Sequence, residues 1–513
     1  MIVSPPELRM TAAEGDRRLF ATCFAAIVAT SFCFILRALV VDDWGREFAL
    51  SQTQKGELLG VGLWPFSISI VLLSLLIDRI GFRVTLWFAA GCHLAGLAVL
   101  LTAHGYWSLY IGTFAMALGN GAVEAAANPL IATLYSHDKA KWLNRLHAGW
   151  PAGLILGGLL ALAAGAETGW RLKCALLVIP VLTYVMLLIG RRFPMSERVA
   201  AGVSYKVMLA EVGFVSAAII ALLIMLEIGR IAGLSMTAEI VVVAAMTVAY
   251  AVFARSAGRP LYIILLLIMI PLAITELSTD SWISSLMEPE MDRVGLQTGW
   301  VLVYTSAIVF VVRIFAGSLI HWLKPLPVLA IASAFAAAGL YMLSGAAGLS
   351  LLAAATLYGI GKSFFWATSL GLCSEQFPRG GAVAINTVAG AGMLAAGIIG
   401  SVMLGAAQDR ATDAALTDHD ARYRTHLAET YLTQSKTSIF GSYRALDPAR
   451  IAAGDRADQE LVASIKAASK KEALRDVAKL PLVMLAAYLC LIVFFRSRGG
   501  YRSVLLAPAA PAE

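Results

Sequence analysis

Apolar runs of about twenty residues, separated by short clusters of charged residues, glycine or proline, recur from end to end of this chain. A hydrocarbon layer ~30 Å thick needs about 20 apolar residues per helix, so each run predicts one crossing. Six are predicted near 19–41, 56–77, 84–102, 107–135, 145–164 and 172–189, and six more near 261–283, 298–320, 326–344, 349–377, 381–405 and 480–495. Two further runs, near 208–226 and 237–254, lie between the sets. The expected fold is an all-α polytopic membrane protein of fourteen transmembrane helices, with two six-helix halves and two extra central helices. The expected divisions are 1–190, 191–260, 261–407, a polar helical insertion at 408–478, and a last span with its tail at 479–513.

Composition agrees: 59% of the 513 residues are hydrophobic and 14% charged, with a mean hydropathy of +0.77, which excludes a water-soluble domain of this length. A net charge of +7 does not imply a nucleic-acid partner here, because in a membrane protein the placement of Lys and Arg carries orientation. With the N-terminus inside, the cytoplasmic loops receive Arg79, Arg83, Lys139, Lys141, Arg191, Arg192, Arg255, Arg259, Arg496, Arg498 and Arg502. The outer stretches hold Asp42, Asp43, Glu288, Glu290 and Asp292. The expected location is therefore the cytoplasmic (inner) membrane, with both termini cytoplasmic. The opening eighteen residues precede a full-length span without a small-residue cleavage site, so no removable signal peptide is expected. The six cysteines lie in apolar runs without CxxC spacing, so neither a disulfide framework nor a metal site is expected.

The halves echo each other. "GNG" at Gly119–Gly121 in the fourth span is matched by "GIG" at Gly359–Gly361 in the tenth, and each precedes a Gly/Ala-rich helix with an early asparagine, Asn144 and Asn386. Paired six-helix halves are a transporter signature, with solute held near the midplane.

"SLLIDRIGFR", Ser74 to Arg83, resembles the GxLxDRxGRR loop motif of the major facilitator superfamily at Asp78, Arg79, Gly81 and Arg83. A decayed copy, "RIFAGSLIHW", follows the eighth span, with Gly317 and Leu319 in register, His321 replacing the aspartate and Arg313 belonging to the motif. "GAVEAAANP", with Glu124, Asn128 and Pro129, resembles the fourth helix of the fucose, galactose and glucose symporters, whose acid lies near the proton and sugar site. The first span departs from that branch, carrying Arg37 in place of its aspartate. The resemblance implies alternating access, a cavity lined by helices 1, 4, 7 and 10, and a cytoplasmic gate at Asp78, Arg79, Gly81 and Arg83.

An ionisable group at the bilayer centre costs at least ~2.5 kcal/mol, so such residues are expected to face the bundle interior or a wet cavity. They are Arg37, Glu124, Glu276, Asp280 and Lys362, in spans 1, 4, 7, 7 and 10. Glu276 and Asp280 are spaced i, i+4, which puts two carboxylates on one face to address one cation or proton. Trp366, one turn beyond Lys362, offers an aromatic surface to a sugar ring; Trp282 is expected to pack or lie at the interface. The candidate site is thus Arg37, Glu124, Asn128, Glu276, Asp280, Lys362 and Trp366. Glu57, near the outer start of span 2, is expected to be solvated.

The function expected is secondary active transport of a small polar solute, a sugar or sugar derivative, coupled to a proton or Na⁺, by a monomer in the bilayer without cofactor or metal. Rivals are a fourteen-helix drug/proton antiporter and a membrane sensor. "GIGKS" mimics a phosphate loop, but Thr356 replaces its first glycine and no strand precedes it. No Ser/His or metal constellation suggests an enzyme. The segment Gln408–Ala478 carries helical stripes at Leu416, Tyr423, Leu427 and Tyr431, and at Leu461, Ile465 and Leu474; it is either a solvated hairpin or a cap over the outer vestibule.

Overall fold

The computed structural model describes residues 6–135, 142, 145–165, 167–194 and 204–502. Asn144, Lys139 and Lys141 lie outside them, as do the side chains of Asp78, Gly317, Leu319 and His321.

Among the described residues the protein is all-α apart from one small hairpin. The first half comprises α1 (Pro6–Glu47), α2 (Gln52–Gly60), α3 (Trp64–Leu101), α4 (Tyr106–Leu134), α5 (Gly149–Ala163), α6 (Trp170–Ala175) and α7 (Val178–Leu188). A central helical hairpin, α8 (Tyr205–Ala232) and α9 (Met236–Ala254), follows. The second half runs through α10 (Pro260–Ala273), a π-turn at Ile274–Ser278, α11 (Thr279–Arg293), α12 (Trp300–Leu323), α13 (Pro325–Leu343), α14 (Leu349–Lys362), α15 (Phe365–Gln376) and α16 (Gly381–Leu394). After a second π-turn at Ala395–Gly400, α17 (Ser401–Tyr423) continues far beyond the expected span. The insertion adds α18 (Leu427–Tyr431), an antiparallel pair β1 (Lys436–Ser438) and β2 (Gly441–Tyr443), α19 (Pro448–Ala453) and α20 (Arg456–Val477). The last helix is α21 (Lys479–Ser497).

Among the described residues, eleven helices are long and apolar enough to cross a membrane, with a shorter apolar helix at Trp300–Arg313. Fourteen crossings were expected from the runs, and α4 and the 349–376 stretch fall short of that measure. In α4, Asn120, Glu124 and Asn128 dilute the hydropathy; the tenth span is broken at Ser363 and Phe364 into two helices of 14 and 12 residues. The helices least suited to lipid are those carrying Glu124 and Lys362.

At Gly81 the chain turns from the second span into the third with no loop, at φ +80°. A Cβ there would meet nothing within 4 Å, so the backbone angle, not space, calls for glycine. Between the halves, α2 packs on the segment around α17 at backbone contact. A Cβ on Gly60 would lie 2.0 Å from the Gly397 carbonyl oxygen, and one on Gly56 2.5 Å from that of Ser401. At the opposite end of the same seam, Asn386 Nδ2 donates to Ser74 Oγ at 2.5 Å. The central hairpin contributes little core: in α9 only Ala254 is buried, as expected of a lipid-facing helix.

The insertion has its own core of Leu416, Leu427, Ala428, Tyr431, Leu432 and Val462. Of the expected stripe, Tyr423 is instead exposed, its ring tilted at 38° against that of His419, and the chain leaves α17 just after it, at Arg424, in a left-handed conformation. The insertion binds both halves. Asp409 Oδ2 accepts from Thr53 N at 2.8 Å and Thr53 Oγ1 at 2.6 Å, and Tyr443 OH lies 3.1 Å from Ser51 Oγ. On the other side, Lys470 pairs with Glu288 at 2.6 Å and Lys471 with Glu290 at 2.9 Å.

Candidate functional site

Four helices bring charged residues together between the halves. The π-turn at Ile274–Ser278 contains Glu276 and directly precedes Asp280. The two carboxylates stay within electrostatic reach of each other and of the same cations, but each takes its own close partner. Asp280 Oδ1 receives Lys362 Nζ at 2.5 Å, while Glu276 Oε1 receives Arg313 Nη2 at 3.3 Å. All four side chains are at least nine-tenths buried.

The break after Lys362 matters locally. It frees the Ser363 carbonyl, which accepts from Arg313 Nε at 3.3 Å. Arg313, read from sequence as part of the decayed loop motif, is thus drawn into the interior by a carboxylate and an open carbonyl. The Tyr358 hydroxyl donates to the Thr275 carbonyl at 2.9 Å and lies 3.3 Å from Asp280 Oδ1. Its ring sits under Lys362, 4.9 Å from Nζ to the centroid, a cation–π contact strengthened by desolvation.

On the facing half, Glu124 is buried on α4 and accepts from Asn128 Nδ2 at 3.0 Å. The half-buried His147 lies within electrostatic reach of both Glu124 and Arg313, so charges run from α4 through His147 to Arg313, Glu276, Lys362 and Asp280. His147 was not singled out from sequence, although a histidine opening a Gly/Ala-rich helix was a usable signal. In this cluster Glu276 Oε2 and Asn128 Oδ1 are acceptor oxygens buried without a partner among the described residues. Each such group costs about 1–3 kcal/mol unless water or a ligand donates to it.

Trp366 and Arg37 relate to this cluster differently. Trp366 opens α15 beyond the break: its ring packs on Gly392, where a Cβ would lie 3.2 Å from it, while its backbone N–H is directed to the Glu276 carboxylate. Arg37 is buried between Phe34 and Gly62 and makes no hydrogen bond or ion pair among the described residues. Trp282 is fully buried and donates to the Ser401 carbonyl at 2.9 Å, joining the two π-turn segments and not an interface with lipid headgroups.

Glu57 is buried, contrary to expectation. It pairs with Arg230 at 3.2 Å and accepts from Tyr106 OH at 2.6 Å, while Arg230 also binds Glu227, which accepts from Tyr110 OH at 2.6 Å. The central hairpin covers this end of the first half, and Glu227 and Arg230 fall just beyond the apolar run by which its first helix was recognised.

The family model for the Major Facilitator Superfamily matches residues 19–401. The chain belongs to the Major Facilitator Superfamily. Solved structures of superfamily transporters share its fold. A bacterial homologue of the human lysosomal transporter Spinster matches with a TM-score of 0.63 and 13% identity, over 99% of this chain and 100% of the other. A bacterial homologue of the human peptide transporters PepT1 and PepT2 gives 0.59 and 13%, over 94% and 99%. The xylose transporter XylE from E. coli gives 0.55 and 18%, over 76% and 89%. Of the superfamily loop motif, Arg79 and Arg83 are exposed and Gly81 forms the turn.

Proposed function

We propose that this superfamily member is a secondary active transporter that moves a small polar solute, a sugar or sugar derivative, across the cytoplasmic membrane by alternating access, coupled to protons. The observation that carries the reading is the charge balance between the halves. Three buried carboxylates, Glu124, Glu276 and Asp280, face two cations, Arg313 and Lys362. One added proton balances the set at far lower cost than leaving a carboxylate uncompensated in low dielectric. The unpartnered oxygens of Glu276 and Asn128 are acceptors, which suits a solute rich in hydroxyl donors. XylE is a xylose transporter by its title, and the "GAVEAAANP" resemblance points the same way.

The same excess of negative charge suits a cationic solute exchanged against protons, the drug/proton antiport reading. The basic loops support cytoplasmic termini, and the docking of Asp409 on Thr53 and of Lys470 on Glu288 supports the insertion as a cap on the outer side. Uptake of a radiolabelled sugar panel into proteoliposomes under imposed proton or Na⁺ gradients tests the proposal. Accumulation of at least one sugar driven by protons supports it; proton-driven extrusion of organic cations with no sugar uptake replaces it with antiport.

A further inference from the structure

Arg37 presents a problem that the solute site does not solve. It is 3% exposed, its Nε and Nη2 have no hydrogen-bond partner, and Cys33 is the one titratable group that acts on it electrostatically among the described residues. Its guanidinium fills the space at Gly62, where a Cβ would come 1.8 Å from Nη1. The one compensating contact is the Phe34 ring, 5.5 Å from the guanidinium carbon. A cation–π contact of about 2 kcal/mol does not offset the cost of an unpaired buried charge, which is several kcal/mol.

A cavity of about 10 Å³ lies beside it, inside the first half between α1, α3, α4 and the α6–α7 segment. That is room for one water-sized particle. Two of its lining side chains carry strong polar groups, Arg37 and Trp44, and the rest are leucine, methionine and cysteine. The Trp44 indole Nε1 is also buried and unpartnered. The cavity therefore offers hydrogen-bond donors and one positive charge, with no carboxylate or carbonyl side chain to receive a cation or balance the arginine. Water would accept one or two hydrogen bonds but leave the charge uncompensated.

We propose that Arg37 and Trp44 form a binding site for a single small inorganic anion of the halide class, buried in the first half and separate from the solute site. The anion neutralises Arg37, and the volume excludes polyatomic anions such as sulfate or gluconate. Binding to the folded state alone raises thermal stability by mass action.

The test uses the full-length protein purified in detergent and exchanged into gluconate. Chloride or bromide, but not sulfate, raises the unfolding midpoint by about 2–3 °C at a hundredfold excess over Kd. Equilibrium dialysis with radioactive chloride finds one ion per chain, and Arg37→Gln abolishes both effects. Should Arg37→Gln fail to fold, Trp44→Phe keeps the ring packing and weakens chloride binding about tenfold or more. Wild-type protein that binds no chloride, a halide response that survives Arg37→Gln, or an unchanged affinity in Trp44→Phe overturns the proposal.

Discussion

Replacing Lys362 by methionine removes the ammonium that sits 2.5 Å from Asp280 Oδ1 while roughly preserving side-chain volume. Both partners are over nine-tenths buried, so the substitution leaves a carboxylate uncompensated. Breaking a buried pair from one side costs about 3–5 kcal/mol. At roughly 1 kcal/mol per degree for a chain of this length, that is a fall of about 3–5 °C in unfolding midpoint. The pairing also predicts which second substitution rescues it. Lys362→Met with Asp280→Asn removes both charges and leaves Tyr358 OH able to hydrogen-bond the amide, so most of the loss returns. Lys362→Met with Glu276→Gln does not recover, because Glu276 is held by Arg313; it loses that pair as well. The assay is a double-mutant cycle on detergent-purified protein, read by thermal unfolding and folded yield, with an expected coupling of about 3 kcal/mol or more for Asp280. Equal rescue by both acids, or additive losses for both, refutes the assignment of Lys362 to Asp280.

Gly60→Leu inserts a side chain against the Gly397 backbone and is expected to separate α2 from the second half, at a cost of about 1–3 kcal/mol. The check is accessibility of single cysteines on the insertion side to a membrane-impermeant reagent, which should rise. Arg230→Met leaves Glu57 and Glu227 together without a cation, so folded yield should fall sharply and be partly restored by Glu227→Gln. Replacing 408–478 with a Gly/Ser linker should keep the helices inserted and change the kinetics of solute entry, as measured by initial uptake rates. Unchanged kinetics, with amide exchange in the intact segment as fast as in an unstructured peptide, would leave the segment a tether.

The apolar runs located the helices because a bilayer imposes one length on every crossing, and the intramembrane charges were conspicuous because each is costly there. That was enough to select Glu124, Glu276, Asp280 and Lys362. That Lys362 takes one of the two acids of the seventh span follows from the cost of leaving a buried charge alone, and it takes Asp280; which acid it takes was not readable, since that depends on a π-turn at Glu276 and a break after Lys362 that no local pattern announces. Arg313 was misassigned for the same reason: its partners, Glu276 and the Ser363 carbonyl, come from distant segments. Glu57 looked solvated because the cation that pairs with it, Arg230, belongs to a hairpin more than 150 residues away in sequence. Arg37 was correctly singled out as a buried charge, but periodicity could not say that it faces the interior of one half.

The central claim is that the charged chain from Glu124 to Asp280 handles solute and proton together. Solute accumulation in proteoliposomes under an imposed proton gradient, comparing wild type with Glu124→Gln and Glu276→Gln, addresses it most directly. The account predicts that both variants remain folded and membrane-inserted while accumulation falls to the equilibrium level. Wild-type accumulation in either variant would contradict it.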